Sequence, residues 1–206
     1  MRSKAAAGRK GINQRACARK DERVKYSMAT FTRADILEGL HRLGELAQEK
    51  GITVQLTLMG GAVMVLAFEA RLSTRDVDVF IRSPREARIV RELAKRVASE
   101  RDWNDDWLND AAKGYLVGVS EGQILYSAPG IEARAPALEQ LLAMKLSAWR
   151  DDVDVADARR LLQELAISNQ DRDVLWSRVE PFLIPGDELT AQYAFLDLWE
   201  SIYGTN

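Results

Sequence analysis

Two aspartates one residue apart, Asp76 and Asp78, stand in the run Arg75-Asp76-Val77-Asp78-Val79-Phe80-Ile81. The alternation reads as a β-strand, on which residues i and i+2 share a face about 6.5 to 7 Å apart. Both carboxylates then converge on one side, while Val77, Val79 and Ile81 face the other. Two acids so close resist joint ionisation unless a cation lies between them. Oxygen ligands suit hard cations such as Mg²⁺ or Mn²⁺, and Mg²⁺ usually keeps places for water and phosphate oxygens. Two such ions about 3.5 to 4 Å apart align an attacking oxygen, a phosphorus centre and its leaving group.

The elements that must hold these acids lie just upstream. Val54–Leu58 is a short apolar run rich in β-formers, and Gly60-Gly61 follows it. Residues 62–70 contain no Gly or Pro and read as a short helix, and 71–75 as a polar connection to the Asp-Val-Asp strand. Glycines lack side chains, so backbone N–H groups at the start of the 62–70 helix can approach phosphates, where the helix dipole favours anions. Strand, double glycine, helix and acidic strand together make a plan for a metal-phosphate pocket.

The composition limits other chemistries. His41 is the only histidine and Cys17 the only cysteine. A Ser-His-Asp triad, a His-based metal cage, an intrachain disulfide and a multi-cysteine zinc site are therefore not expected. No apolar run approaches the roughly 20 residues of a membrane span. The basic N-terminus lacks the apolar stretch of a secretory signal, so a cytoplasmic location is expected. Charge is uneven: residues 1–27 carry nine Lys/Arg against Asp21 and Glu22, and the rest carries 20 basic and 29 acidic side chains. An acidic body argues against a broad phosphate-binding surface. The 1–27 tail has too few large apolar residues to offset chain entropy and is expected to be disordered. Met28, followed at once by patterned sequence, reads as an alternative start.

The remaining elements follow from periodicity. A first helix starts at Thr32, with Asp35 as capping-box partner, and ends at Gly51. His41 lies on it, away from the apolar stripe. Ser83 and Pro84 open another helix, reaching about Glu100, with Ile89, Val90, Leu93, Ala94 and Val97 buried and a row of Arg and Glu solvated. Residues 102–110 are dense in acids and indoles. Strands are expected at 115–119, 123–127 and Ile131–Arg134, with Glu121-Gly122 as a hairpin turn. From Pro136 onward the pattern is helical, at 136–149, 155–166, 172–182 and from just after Pro185-Gly186-Asp187 to near Tyr203-Gly204. Leu189, Tyr193, Leu196, Trp199 and Tyr203 would form the packing stripe of the last helix. The fold class is α/β (α+β): a mixed sheet flanked by helices over 28–135, and an α-helical C-terminal part over 136–206.

This arrangement resembles the signature of the polymerase-β-type nucleotidyltransferase superfamily: hydrophobic strand, Gly-Gly, helix, then Asp-hydrophobic-Asp, with the hydroxyl residue Thr74 two places before the first Asp. A second stretch adds to the likeness. Leu141-Leu142-Ala143-Met144-Lys145-Leu146-Ser147-Ala148-Trp149-Arg150, followed by Asp154 and Asp157, is similar to a Lys…Arg…Asp-x-x-Asp helix pair of small bacterial members that include AbiEii/MenT-like toxins. Asp106-Trp107-Leu108-Asn109-Asp110 also resembles a segment of that group. The likeness spans roughly residues 56–160.

The resemblance implies Mg²⁺ or Mn²⁺ on Asp76 and Asp78, with Gly60, Gly61 and Thr74 lining the phosphates of a nucleoside triphosphate. Lys145 would neutralise phosphate charge, and Asp157 with Asp154 would complete the site. Read without the family, Lys145 and Asp157 equally make a helix–helix ion pair. Complete members carry a third carboxylate on a neighbouring strand, for which Glu132 is the candidate; alternation also lets it pair with Arg134. Trp103, Trp107, Asn109 and Lys113 either flank a base or acceptor, or the indoles pack on the sheet edge.

Transfer of a nucleoside monophosphate to a hydroxyl acceptor is the implied reaction. The acceptor would be a protein, a tRNA 3′ end or a small molecule, in a toxin–antitoxin or phage-defence pair with a co-encoded protein. The alternative is a non-catalytic nucleotide- or partner-binding module, an antitoxin or regulator on a decayed transferase fold. A glycosyltransferase use of Asp-Val-Asp is disfavoured, because such enzymes need a larger domain and do not require the Gly-Gly.

Overall fold

The computed structural model describes residues 30–110, 116–149, 151–167 and 171–204. The tail 1–27, Lys113, Tyr115 and Arg150 lie outside the described residues. Phe31–Thr32 forms a short strand, β1, which runs directly into helix α1, Arg33–Glu49. The expected capping box is present: the Asp35 carboxylate accepts from the Thr32 N–H at 2.8 Å, and the Thr32 hydroxyl from the Asp35 N–H at 3.3 Å. Gly51, at φ +69°, turns the chain after the helix.

The following elements are β2 (Val54–Leu58), α2 (Gly60–Leu66), β3 (Ser73–Thr74) and β4 (Val77–Ile81). Helix α3 (Ala87–Arg101), β5 (Leu108–Asn109), β6 (Ile124–Ala128) and β7 (Ile131–Arg134) complete the sheet region. Then come α4 (Leu138–Ala148), α5 (Asp152–Ala166), α6 (Arg172–Val179) with a 3-10 turn at Glu180–Phe182, and α7 (Glu188–Tyr203). Asp151 and Asp171 cap α5 and α6, each accepting from two backbone N–H groups of the first turn. The class is α+β, as the sequence indicates.

Five strands form one mixed sheet in the order β5-β4-β2-β7-β6, and β1 pairs with β3 in a separate antiparallel ladder. β2 is antiparallel to β4 and parallel to β7. One face carries Val54, Leu56, Leu58, Val77, Val79, Ile131 and Ala133, each at most 1% exposed. Helix α1 covers it at close range, because a Cβ on Gly44 would meet Ile131 at 2.5 Å and one on Gly39 would meet Trp107 at 2.8 Å. The opposite face carries the polar positions of β2, β4 and β7. The C-terminal helices share a single buried apolar cluster with the sheet region.

Several expectations need correction. The helix expected at 62–70 begins at the glycines and stops at Leu66. Ser83 and Pro84 start a turn rather than the helix itself, since Glu86 N–H bonds the Ser83 carbonyl at 3.0 Å before α3 opens at Ala87. Ile89 sits on the outer side of α3, 37% exposed. Residues 116–119 form no strand, and Glu121-Gly122 is no hairpin. The buried Gln140 side chain satisfies this segment instead, accepting from Ser120 N–H at 2.9 Å and donating to the Gly118 carbonyl at 3.0 Å. The hairpin forms at Pro129-Gly130, joining β6 to β7, with Gly130 at φ +80°.

On α7 the buried residues are Ala191, Ala194, Phe195, Leu198 and Trp199. Leu189 and Tyr193 face solvent, 63% exposed each, so the expected stripe is rotated. The indoles of the acidic segment pack. Trp107 is buried, donates to the Ala94 carbonyl at 2.9 Å, and stacks edge-on with Trp103 and near Phe31. The short strand β5 that follows Trp107 was not expected.

Candidate functional site

The site is built where β2 ends. Met59 leaves the sheet with its N–H on the Asp78 carbonyl at 2.8 Å, which locks the turn against β4. Gly60 follows at φ +56°, a region that costs any residue with a Cβ. A Cβ there would lie 2.8 Å from Asp78 Oδ2, and one on Gly61 would lie 2.2 Å from Thr74 Oγ1. The glycine pair therefore admits two side chains of the next strands against the turn. Helix α2 is only seven residues long, so its dipole adds little to anion binding.

Asp76 enters just before β4 and Asp78 within it. Val77 and Val79 are fully buried on the far side, so alternation aims both carboxylates away from the core. Partial burial raises the pKa of Asp76 above the usual carboxylate range, and the nearby Asp106 charge adds to this; Arg75 opposes it. On the outer side of β4, β5 runs parallel with Asn109 in register with Asp78. The Asn109 amide donates to Asp78 Oδ1 at 3.4 Å.

The helical half supplies the other wall. Lys145 near the end of α4 donates to Asp154 at 2.7 Å and lies 2.8 Å from Asp157, both on α5. Asp157 is 2% exposed and also holds Arg71, from the connection between α2 and β3. Arg71 Nε donates to Asp157 Oδ1 at 2.9 Å, and Nη2 donates to Oδ2. Such a fork between guanidinium and carboxylate is the strong, directional form of an ion pair. A cleft of about 990 Å³ lies between the two walls. Gly60, Gly61, Thr74, Asp76 and Asp78 line one side, and Lys145 and Asp154 the other. Asp157 sits behind this lining, bonded to Lys145 and Arg71.

Glu132 is not among the residues that line the cleft. Register explains this: Glu132 pairs with Gln55 of β2, and Gln55 accepts from the Arg82 N–H just past β4. Asp78 is four residues back along β4, hence about 13 Å away along the strand and about 10 Å across two strand spacings. Glu132 accepts instead from Arg134 Nε at 2.7 Å. Among the described residues no three His, Cys, Asp or Glu side chains are grouped to hold a metal. The Asp76–Asp78 pair, with the Asn109 amide beside it, offers oxygen donors of the kind a hard divalent cation takes. A cation there would also relieve the cost of ionising Asp76.

One contributor escaped the sequence reading, and a second takes a different place from the one expected. Arg71 sits in a polar connection with no periodic mark. Asn109, expected with the indoles to flank a base or acceptor, reaches Asp78 only through the β4–β5 pairing.

Comparison with known proteins adds one finding. Residues 36–124 match the family model described as a nucleotidyl transferase of unknown function (DUF2204). No curated protein and no solved structure matches the chain. The matched stretch holds Gly60, Gly61, Asp76, Asp78 and Asn109, and stops before Glu132, Lys145 and Asp157. The match supports a nucleotidyltransferase family for the part of the chain that carries the glycine turn and the paired aspartates.

Proposed function

We propose that the cleft binds a nucleoside triphosphate with Mg²⁺ or Mn²⁺ and transfers its nucleoside monophosphate to a hydroxyl acceptor. One observation carries this reading: the glycine turn, Asp76 and Asp78 line the same cleft as Lys145, from separate parts of the chain. Asp76 and Asp78 would hold the cation, which when bound supplies charge neutralisation at the phosphates. Gly60 and Gly61 admit Asp78 and Thr74 against the turn, and Thr74 offers a hydroxyl to the phosphates there. The acceptor oxygen bonds to the α-phosphorus, the bond to the β-phosphate oxygen breaks, and pyrophosphate leaves. Positioning and charge then account for the acceleration.

The likeness of the Lys145–Asp157 helix pair to AbiEii/MenT-like proteins supports a setting with a co-encoded protein partner and an RNA or protein acceptor. Among the described residues no helix is long and apolar enough to cross a membrane, and the proposed setting is the cytoplasm.

A second reading, nucleotide binding without transfer, is favoured by one feature. The strand beside Asp78 presents the amide Asn109 rather than a third carboxylate. Calorimetric titration with Mg-NTPs, followed by incubation of α-labelled NTPs with RNA, protein and metabolite pools, separates the two. Label transfer lost in Asp78→Asn supports the enzyme. Binding without label in any pool supports the module, and no binding of any NTP removes both.

A further inference from the structure

We propose that Arg71, oriented by Asp157, is the side chain that contacts the terminal phosphates of the nucleotide; this rests on the nucleotide reading above. The resemblance implies Lys145 as the residue that neutralises phosphate charge, but its surroundings favour Arg71 for the terminal phosphates. Lys145 Nζ is engaged by two carboxylates, Asp154 at 2.7 Å and Asp157 at 2.8 Å, and its side chain is 13% exposed. Its charge is answered within the protein, and its hydrogens are largely spoken for.

Arg71 differs. Nε and Nη2 are both taken by Asp157, which fixes the plane of the guanidinium. Nη1 lies on the other side, 3.1 Å from where a Cβ on Gly61 would stand, and so over the glycine turn. It makes no hydrogen bond among the described residues. Arg71 lines the cleft, and its side chain is 21% exposed, so the free edge is accessible. A guanidinium held by a carboxylate on one edge and open on the other is pre-organised for a phosphate oxygen, with little entropy left to lose.

Charge balance agrees. Arg71 and Lys145 face Asp154 and Asp157, and the other charged residues lining the cleft are Asp76, Asp78, Asp151 and Asp187 against Arg75, so acids predominate. A polyphosphate then needs both a cation on the aspartates and a directed donor. Arg71 supplies the donor beside Gly61 and Thr74.

The test is calorimetric titration of the full chain with Mg-ATP, Mg-GTP, Mg-CTP and Mg-UTP, then with the mono- and diphosphates of the nucleoside that binds. Arg71→Lys keeps the charge but cannot bridge Asp157 and a phosphate together. It should weaken triphosphate binding about tenfold and flatten the preference for triphosphate over monophosphate. Asp157→Asn, which loosens the fork without removing Arg71, should shift both quantities in the same direction by less. A purely structural role would lower stability without changing the preference for phosphate number. On the wild-type chain, phenylglyoxal modification of Arg71, followed by mass spectrometry, should slow in saturating Mg-NTP. A wild type that prefers triphosphate, with Arg71→Lys retaining that preference and modification unslowed, overturns the role of Arg71 and leaves the nucleotide reading standing. A wild type that binds no Mg-NTP overturns both.

Discussion

The ammonium of Lys145 lies 2.8 Å from a carboxylate oxygen of Asp157, a side chain left 2% exposed. Asp157 also receives the Arg71 fork, so one buried anion ties the connection before β3 to the α4–α5 helix pair. Removing a single partner of such a group leaves charge without compensation. Asp157→Ala should therefore destabilise the fold by about 3–5 kcal/mol, read from urea unfolding. A change below about 1 kcal/mol would show that solvent replaces the contacts.

The glycine turn makes a second prediction. Alanine at 61 brings a Cβ to 2.2 Å from Thr74 Oγ1 and 2.9 Å from its Cβ, so strand β3 must shift. Gly61→Ala should cost about 1–3 kcal/mol. Alanine at 60 must adopt φ +56° beside the Asp78 carboxylate, at about 1–2 kcal/mol for the left-handed conformation alone. Chemical denaturation measures both, and tolerance of alanine at either position would contradict the packing described.

Asp76 sets a pH dependence. Burial, with the Asp106 charge, raises its folded pKa above the unfolded value, so the fold disfavours the charged form. Its contribution is then most favourable below the unfolded pKa and is lost as pH rises through the raised folded value. Asp76→Asn should melt higher than wild type near neutral pH. The difference should close as pH falls into the carboxylate range. Mg²⁺ should raise the melting temperature of the wild type and not that of the variant. Parallel thermal melts across pH, with and without Mg²⁺, check all three.

Glu132 supplies a negative prediction with a sharp contrast. Its carboxylate pairs with Arg134 and lies several residues and two strands from Asp78. Glu132→Gln should leave Mg²⁺-dependent nucleotide affinity within about twofold, whereas Asp78→Asn should lower it about tenfold or more. Titration of both variants with Mn²⁺ and a fixed NTP, followed by the electron-spin signal of the ion, compares them directly. Equal losses would return Glu132 to the metal.

Much of the frame was legible because it rests on local physics. The Thr32–Asp35 capping box, the 3.6-residue rhythm of α1, the β2 run and the alternation of β4 all act over a few neighbouring residues. The misreadings share a different cause. The 116–119 segment has strand-like composition, yet the Gln140 side chain satisfies its backbone from a distant helix. The apolar residues of α7 allow more than one buried face, and packing on α4 and α5 selects Ala191, Phe195 and Leu198 over Leu189 and Tyr193. Strand β5 is two residues long, too short to mark itself, and forms because the buried Trp107 delivers it to β4.

For the site the same division holds. Residue types and spacing by themselves determined that Asp76 and Asp78 share a face, and that a glycine pair precedes them in a strand-turn-helix. Those facts follow from backbone periodicity and from the absence of a side chain. Only the tertiary structure decided that Glu132 lies out of reach, since strand register is a long-range property. It also decided that Asn109 flanks Asp78, and that Asp157 spends its charge on Lys145 and Arg71. The purpose of the glycines changed as well: they make room for Asp78 and Thr74, a requirement that appears only when two later strands are folded against the turn.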